Sequence, residues 1–418
     1  MTVKCNRPID YFDIPPPISA AQQHGVYPQL NHDERARLNF VSACNRVVTT
    51  CLSPGNQTAY DAEELPAFQK QHGSLPNSRH EDSRAMNANS FQRLWGATRR
   101  NLMEIRQQAG AAVVLRQLDE LAERARQLND GDDNLVLDKL VKIPPYVAEV
   151  DHHCMPGSYY RELVDGDVSP AANYDIGFFV TTGGTVGPLN DEAGKAIAQW
   201  VKDSARQHRP EFKPRRILDI GVAAGHNIVP IAKMFPDAQV TALDVSAPML
   251  RYAHARAKSL GVQNIRFVQM SGEDLSAFDD ESFDWVQTSV FLHELSAKAL
   301  PRVLSECRRV LKPGGLTLHL EQPQYDDNMP IFEQFMRDWD AYNNSEPFWT
   351  ALHAIDMDTA LAATGFDASD VFHAELTRAH TQAPTDGDNQ AGQDFGREPV
   401  WHAYGAWRSD WGANHGQR

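Results

Sequence analysis

Cysteine is scarce in this sequence and follows no pattern. Only five cysteines occur among 418 residues, and the CxxC spacing of redox and zinc motifs is missing. An odd and scattered set does not provide the disulfide framework of a small secreted domain. We therefore expect reduced thiols at Cys5, Cys44, Cys51, Cys154 and Cys307.

Long apolar runs and an excess of positive charge are also missing. No apolar segment approaches the roughly 18 residues of a membrane helix, and the N-terminal segment has neither a signal-peptide nor an Arg-rich transit pattern. The formal net charge of −15 repels phosphates over most of the surface. We therefore expect a cytoplasmic protein with no nucleic-acid partner and no membrane partner.

A hydrophobic share of 42% indicates an ordinary globular core, and the first part of the chain is predicted to be helical. Apolar residues at three-and-four spacing predict one long helix over about 89–128, whereas residues 65–84 have the Gly and Pro content of a loop. We assign 1–135 to a mainly helical domain that serves as a cap or in dimerisation. Its apolar face packs either within the chain or against a second copy in a homodimer.

Residues 136–205 are assigned to a connecting region. Its stretch from 143 to 191 is dense in Gly, Pro and aromatic residues, and long irregular loops of this kind tend to be functional. The segment 151–154, Asp-His-His-Cys, concentrates metal-ligand types. Adjacent side chains rarely converge on one ion and no complementary pair is visible at ligand spacing, so the sequence predicts no metal site.

From residue 206 to 418, strand and helix patterns alternate. Short β-branched runs over 215–222, 239–245, 265–270, 283–291 and 316–322 are separated by helix-length segments, which predicts an α/β Rossmann-like fold. We expect a doubly wound, mostly parallel sheet with helices on both faces. Two further alternating runs, around the polar segment 380–399, predict a C-terminal antiparallel hairpin.

The first strand of this pattern runs into a glycine turn, "ILDIGVAAGHN". Ligands of doubly wound sheets lie beyond the carboxyl ends of the strands, so this turn is expected to contact one. A dinucleotide site favours G-x-G-x-x-G, but here Ala223 stands in the middle position, and neither His226 nor Asn227 provides the last glycine. A nucleoside without a pyrophosphate fits this turn better than a dinucleotide, which leaves a dinucleotide-dependent oxidoreductase disfavoured.

Three successive motifs carry a family resemblance over 215–324. "ILDIGVAAGHNIVPIAKMFPDAQVTALDVSAPMLRYAHARA", "GEDLSAFDDESFDWVQTSVFLHELS" and "RRVLKPGGLTLHLEQPQ" resemble the ordered motifs of class I S-adenosylmethionine-dependent methyltransferases. Within that superfamily the chain is similar to the small-molecule branch of the ubiquinone and menaquinone methyltransferases, in particular through "FLHE" at 291–294 and "EPF" at 346–348. The resemblance implies S-adenosyl-L-methionine as the cofactor.

The resemblance also implies cofactor-binding residues. Asp244 would accept hydrogen bonds from the ribose hydroxyls, since a carboxylate offers acceptors only. The family usually has glycine at Ala223 and often aspartate at Ser271, so Glu273 or Asp274 is an alternative to Ser271 beside the adenine. The implied set is Asp219, Gly221, Ala223, Gly225, Asp244, Val245, Met249, Ser271, Gly272, Glu273, Ser289 and Val290.

Candidate catalytic residues follow the fourth strand and precede the hairpin. His293 is expected to act as a base, because its unperturbed pKa suits neutral pH, or to cap a helix and shape the pocket. Glu294 would orient His293 or cap its helix, and Glu346 would line the pocket or face solvent. Phe348, Trp349, Trp339 and Tyr342 are expected to form an aromatic wall or to fill the core. The region 136–205, with Tyr159, Tyr160 and Tyr174, is expected to cover the acceptor pocket as a lid.

The sequence therefore predicts an S-adenosylmethionine-dependent methyltransferase with a small-molecule acceptor. Methyl transfer from a sulfonium is an in-line displacement that requires positioning and exclusion of water rather than a metal. A non-catalytic partner protein that binds the same cofactor is the alternative. A homodimer through the N-terminal helices is the expected assembly.

Overall fold

The computed structural model of the chain describes residues 14–205, 207, 209–377 and 400–409. Cys5 and the polar segment 380–399 lie outside these ranges. Within them the chain forms one mixed sheet with helices on both of its faces. The predicted fold class is confirmed.

The sheet contains eight strands in the order β1-β4-β3-β2-β5-β6-β8-β7. Neighbouring strands from β1 to β6 pair in parallel, and β8 pairs antiparallel with both β6 and β7. The predicted C-terminal hairpin is thus confirmed. The strands are β1 (Leu135–Val136), β2 (Arg216–Ile220), β3 (Gln239–Asp244), β4 (Ile265–Gln269), β5 (Phe283–Ser289), β6 (Leu311–Glu321), β7 (Val371–Thr377) and β8 (Val400–Trp407).

The central strands are buried along almost their whole length. Four of the five residues of β2 are buried, from Ile217 to Ile220. Both faces of a parallel sheet are covered by crossover helices, so its strands form continuous apolar runs. The chain order reverses between β2 and β5, and the carboxyl ends of these strands lie side by side there.

The N-terminal part is helical, and its helices pack within the chain. They are α1 (His32–Val47), α2 (Ser53–Ala59), α3 (Leu65–His72), α4 (Arg79–Met86), α5 (Ser90–Arg116) and α6 (Leu118–Asn129), with π-helical turns at Val48–Leu52 and Tyr60–Glu64. The apolar faces of α5 and α6 are buried against neighbouring elements of the same chain. The homodimer therefore stays a prediction that these buried faces do not require.

Two expectations for this region were wrong. Residues 65–84 form α3 and α4 instead of a loop, and the long helix is interrupted at Gln117, between α5 and α6. Pro66 is the second residue of α3, which follows directly on the π-helical turn Tyr60–Glu64. Gly73 ends α3 in the left-handed conformation, with φ of 76°.

The connecting region is more ordered than predicted. It contains α7 (Pro145–Ala148), a 3-10 turn at His152–Cys154, α8 (Ser169–Thr182), α9 (Glu192–Trp200) and a π-helical turn at Val201–Ala205. The loop prediction failed at α8 because none of its residues is exposed, which hides the amphipathic period that marks a surface helix.

The remaining helices cover the sheet and its carboxyl edge. They are α10 (Ile228–Met234), α11 (Ala247–Ser259), α12 (Ala299–Val310), α13 (Ile331–Asn343), α14 (Trp349–His353) and α15 (Met357–Ala362), with 3-10 turns at Ile18–Ala20, Leu292–Glu294 and Ala368–Asp370. Among the residues that the model describes, no helix combines the length and the hydropathy needed to cross a bilayer.

Candidate functional site

A cavity lies beyond the carboxyl ends of the parallel strands, and the helical N-terminal half closes its other side. Its sheet side is lined by Asp219, Gly221, Val222, Ala223, Asp244, Val245, Ser289, Val290 and Phe291. Its opposite side is lined by Asn45, Arg99, Met103, Arg106, Val147, His153, Tyr159, Tyr174, Phe178 and Thr181. The lining is completed by Val186, Asn190, Ala193, His226, Asn227, Met249, His293, Glu294, Asn344 and Trp401.

The glycine turn after β2 is shaped by backbone conformation and by the side chain of Asp244. Gly221 has φ of 77° and Ala223 has φ of 45°, so both lie in the left-handed region. The Asp244 carboxylate accepts hydrogen bonds from the backbone N–H of Ala223 and of Ser246, each at 2.9 Å. Asp244 thereby fixes the turn and still presents its side chain to the cavity.

We predict that Gly221→Ala destabilises the protein by more than backbone strain alone. A Cβ at Gly221 would overlap the ring of Phe291, which lines the cavity. Gly261 is a matched control, because it has a similar φ of 75° but no atom within 4 Å of such a Cβ. Gly261→Ala should lower the free energy of unfolding by about 1 kcal/mol and Gly221→Ala by clearly more, as measured in urea. Equal losses would contradict the packing of Phe291 on this turn.

The buried Asp219 and the half-buried Asp244 both have raised pKa values, and burial is the main cause. Burial raises the pKa of Asp219 to about 7, although Gln287 Nε2 donates a hydrogen bond to it at 3.1 Å. Burial also raises the pKa of Asp244 to about 6, against the effect of the backbone N–H donors. Both carboxyls therefore change charge close to neutral pH.

The structure brings most of the predicted cofactor residues to the cavity, and their roles stay predictions. The residues Asp219, Gly221, Ala223, Asp244, Val245, Met249, Ser289 and Val290 line it. Gly225, Ser271, Gly272 and Glu273 are not part of the lining. The Glu273 carboxylate is occupied elsewhere, because Tyr146 donates a hydrogen bond to it at 2.7 Å and Arg302 pairs with it at 3.2 Å.

His293 also lies at the cavity, but its environment differs from the expected one. Its Nδ1 lies 2.8 Å from Glu321 Oε2, and both side chains are 1% exposed. Burial lowers the pKa of His293, but the charge of Glu321 and its hydrogen bond outweigh burial, with further help from Glu294 and Glu346, and raise the pKa to about 9. The expected unperturbed pKa is thus corrected, because this imidazole holds its proton at neutral pH.

Glu294 and Glu346 lie on either side of His153. Glu294 Oε1 is 3.9 Å from His153 Nε2 and accepts a hydrogen bond from the hydroxyl of Tyr159 at 2.7 Å. Glu346 Oε1 is 2.8 Å from His153 Nδ1, although Glu346 itself is not part of the cavity lining. Burial raises the pKa of Glu346 to about 7 and lowers that of His153 to about 4. The exposed position considered for Glu346 is excluded, since its side chain is 0% exposed.

The loop that carries His153 and Tyr159 is tied to the glycine turn region. Ser246 Oγ donates a hydrogen bond to the backbone carbonyl of Tyr159 at 2.7 Å. The backbone carbonyl of His153 accepts hydrogen bonds from Arg106 at 3.1 Å and Gln107 at 2.7 Å. The segment predicted to cover the pocket therefore contributes to the cavity wall.

The predicted aromatic wall is composed of other residues. Phe348, Trp349, Trp339 and Tyr342 are not part of the cavity lining, and Tyr342 is 83% exposed. Trp349 stacks on His293 from behind the cavity wall, with ring centroids 4.8 Å apart. The tyrosine, phenylalanine and tryptophan side chains that do line the cavity are Tyr159, Tyr174, Phe178, Phe291 and Trp401.

The sequence interpretation missed three residues of the site. Glu321 ends β6, and a carboxylate at a strand end is the same signal that identified Asp244. His226 directly follows the glycine turn and lies 2.8 Å from the buried Asp175. Arg106 lies on the buried side of α5 and carried no local signal. Its guanidinium contacts the hydroxyl of Thr181 at 2.8 Å.

Comparison with known proteins gives the following similarities. Residues 217–315 match the family model described as a methyltransferase domain. The chain is 31% identical over 127 residues to demethylmenaquinone methyltransferase of Geobacillus stearothermophilus, covering 30% of this chain and 53% of that protein. It is 31% identical over 153 residues to fatty-acid O-methyltransferase of Mycolicibacterium smegmatis, covering 36% and 51%. The chain thus spans about half the length of these curated relatives.

Comparison with solved structures gives two further similarities. Phosphoethanolamine N-methyltransferase 2 of Haemonchus contortus is 19% identical, with a TM-score of 0.41 over 57% of this chain and 58% of that one. The YcgJ protein of Bacillus subtilis is 19% identical, with a TM-score of 0.36 over 51% of this chain and 98% of that one.

Proposed function

We propose that this protein transfers a methyl group from S-adenosyl-L-methionine to a small molecule, because residues 217–315 match a methyltransferase-domain family and resemble class I S-adenosylmethionine-dependent methyltransferases. The observation that carries the proposal is Asp244. It ends the strand next to β2, faces the cavity, and fixes the glycine turn through the Ala223 N–H. A carboxylate at this point offers acceptors to a pair of ribose hydroxyls.

The sheet side of the cavity suits a nucleoside. Gly221 lets the ring of Phe291 lie close against the turn, and Val245 adds an apolar surface beyond Asp244. We expect Asp219, at the other end of the turn, to contact the charged amino group of the methionine moiety. When bound, the cofactor supplies an electrophilic methyl group on a sulfonium, and the protein supplies the positioning.

The helical side of the cavity suits the acceptor. Tyr159, Tyr174 and Phe178 give it flat apolar surfaces, while Glu294 and His153 place polar atoms among them. This mixture favours a flat acceptor with a polar group at the reacting end. Burial of these groups keeps water from the reacting atoms.

His293 is assigned to orientation rather than to proton removal. Its ring is fixed by Glu321 on one side and by Trp349 on one face. A protonated imidazole at this position donates a hydrogen bond, whereas a base must accept a proton. Glu294 lines the same wall and is the carboxylate that an acceptor can reach.

A calorimetric titration with S-adenosylmethionine, S-adenosylhomocysteine and NAD tests the proposal. We expect binding of the first two in the micromolar range and none of NAD, after removal of any co-purified ligand. Release of S-adenosylhomocysteine is then followed with a panel of phenols, quinols, carboxylic acids and amines. Absence of binding would overturn the cofactor, and binding without release on any acceptor would favour the non-catalytic alternative.

A further inference from the structure

Three side chains from distant parts of the sequence converge at the wall of the cavity. His153, Glu294 and Glu346 each offer one donor atom, and these atoms lie within 4.8 Å of one another. Two donors bonded to one ion at about 2.0–2.2 Å stand about 3–4 Å apart. Small side-chain rotations would therefore bring the three donors onto a single ion.

The buried carboxylate of Glu346 lacks a hydrogen-bond donor in the part of the chain that the model describes. Its side chain is fully buried, and neither carboxylate oxygen accepts a hydrogen bond there. The amide of Asn344, two residues before it in the sequence, lies 3.0 Å from His153 Nδ1 instead. Buried carboxylates are normally hydrogen-bonded, paired or bound to a metal.

One of the two carboxylate oxygens of Glu294 also lacks a hydrogen-bond donor. Oε1 accepts the hydrogen bond of Tyr159, but Oε2 accepts none within the described residues. His152 Nε2 lies 3.1 Å from Oε2 without forming a hydrogen bond. No lysine or arginine among the described residues pairs with Glu294 or Glu346. The protonated His293 lies near the cluster, with Nε2 3.9 Å from Glu294 Oε1, but it is already paired with Glu321 at 2.8 Å.

The histidine of the cluster is held firmly in place. His153 has φ of 53°, and its backbone carbonyl accepts hydrogen bonds from the side chains of Arg106 and Gln107 on α5. Rigid support of this kind is what a metal ligand requires. The sequence prediction of no metal site rested on the absence of complementary ligands for the segment 151–154. In the structure, Glu294 and Glu346 lie beside His153 and are ligands of this kind.

We propose that His153, Glu294 and Glu346 bind one divalent first-row transition-metal ion at the acceptor side of the cavity. One imidazole and two carboxylates suit ions that accept nitrogen and oxygen ligands, and three protein ligands leave positions open. Given the proposed methyltransferase function, the open positions face the acceptor. They select a molecule with an oxygen donor, such as a phenol or an enol.

The test is a titration of the full-length, untagged and metal-stripped protein with Co²⁺, followed by calorimetry and by visible d–d absorption. We expect saturation at one ion per chain. Glu346→Gln and His153→Gln should each weaken binding by about 10–100-fold or more, with circular dichroism confirming that each variant is folded. His373→Ala is the matched control, since His373 pairs with Asp358 at 2.8 Å on the exposed surface. That variant should bind Co²⁺ like the wild type.

The outcomes separate this proposal from the proposed function. If the wild-type protein binds S-adenosylmethionine but no stoichiometric Co²⁺, the metal site alone is overturned. The carboxylates of Glu294 and Glu346 would then be candidates for binding a cationic acceptor. Unchanged Co²⁺ affinity in Glu346→Gln would overturn it as well. Binding of Co²⁺ without S-adenosylmethionine would support the metal site and reject the methyltransferase function.

Discussion

The Asp244→Asn variant should bind S-adenosylmethionine about 10–150-fold more weakly than the wild type, as measured by calorimetry. The substitution removes charge-assisted hydrogen bonds worth about 1.5–3 kcal/mol. It also places an amide NH₂ group where Asp244 now accepts two backbone N–H groups. Unaltered affinity would show that the nucleoside lies elsewhere.

The same sheet offers a matched control for this substitution. Asp284 also accepts two backbone N–H groups, those of Arg215 and Arg216, each at 2.8 Å. It lies near the start of β5, at the edge of the sheet opposite the cavity. Asp284→Asn should therefore lower stability without changing the affinity for S-adenosylmethionine, and a fall in affinity would indicate a general loss of structure.

The affinity for S-adenosylmethionine should also depend on pH through Asp244. Burial holds the pKa of this carboxyl at about 6 in the free protein, and only the ionised form accepts hydrogen bonds on both oxygens. Affinity should therefore fall as the pH drops below about 6, with release of a proton on binding. Calorimetry in buffers of different ionisation enthalpy measures the number of protons released on binding. The part of this proton release that disappears in Asp244→Asn is assigned to Asp244.

Glu321→Gln should lower the free energy of unfolding by about 3 kcal/mol, because it leaves the buried charge of His293 without its partner. A double-mutant cycle with His293→Gln isolates the pair, and we expect a coupling free energy of about 2 kcal/mol in urea unfolding. The pair Lys312–Asp284 is the control, with side chains 37% and 20% exposed and a distance of 2.7 Å. Its coupling should be about 0–1 kcal/mol.

A coupling for His293 and Glu321 no larger than that of the surface pair would contradict the buried ion pair. Rescue of stability in the double variant, relative to Glu321→Gln alone, is part of the same expectation. Removal of both partners leaves no unpaired charge, whereas removal of Glu321 alone leaves one.

The sheet could be predicted from the sequence because its signals are local. Each central strand is a short apolar run, and the turn after β2 is marked by Gly221 and Gly225. The helix α8 could not be predicted in this way, because a helix buried on every side has no amphipathic period. Helices α3 and α4 were not predicted, because their prolines and polar residues suggested a loop. Such residues are also compatible with the first turns of helices.

The two sides of the cavity also differ in whether local sequence signals predict their residues. Asp219 and Asp244 follow from their places at strand ends, where topology fixes the position of a side chain. The neighbourhood of His153 depends on contacts with Glu294 and Glu346, which lie far away in the sequence and outside regular strands. No local pattern records such contacts, so the sequence suggested these residues one by one and only the structure shows that they converge.

One series of hydrogen bonds runs across the cavity from Asp244 through Ser246 and Tyr159 to Glu294. A ligand that orders Asp244 also orders Tyr159, so part of the entropic cost of binding on the other side is already met. By thermodynamic linkage, cofactor and acceptor change each other's affinity by the same factor. An acceptor screen on the cofactor-free protein therefore samples a less ordered wall, and the S-adenosylhomocysteine-loaded protein is the form in which weak acceptors become detectable.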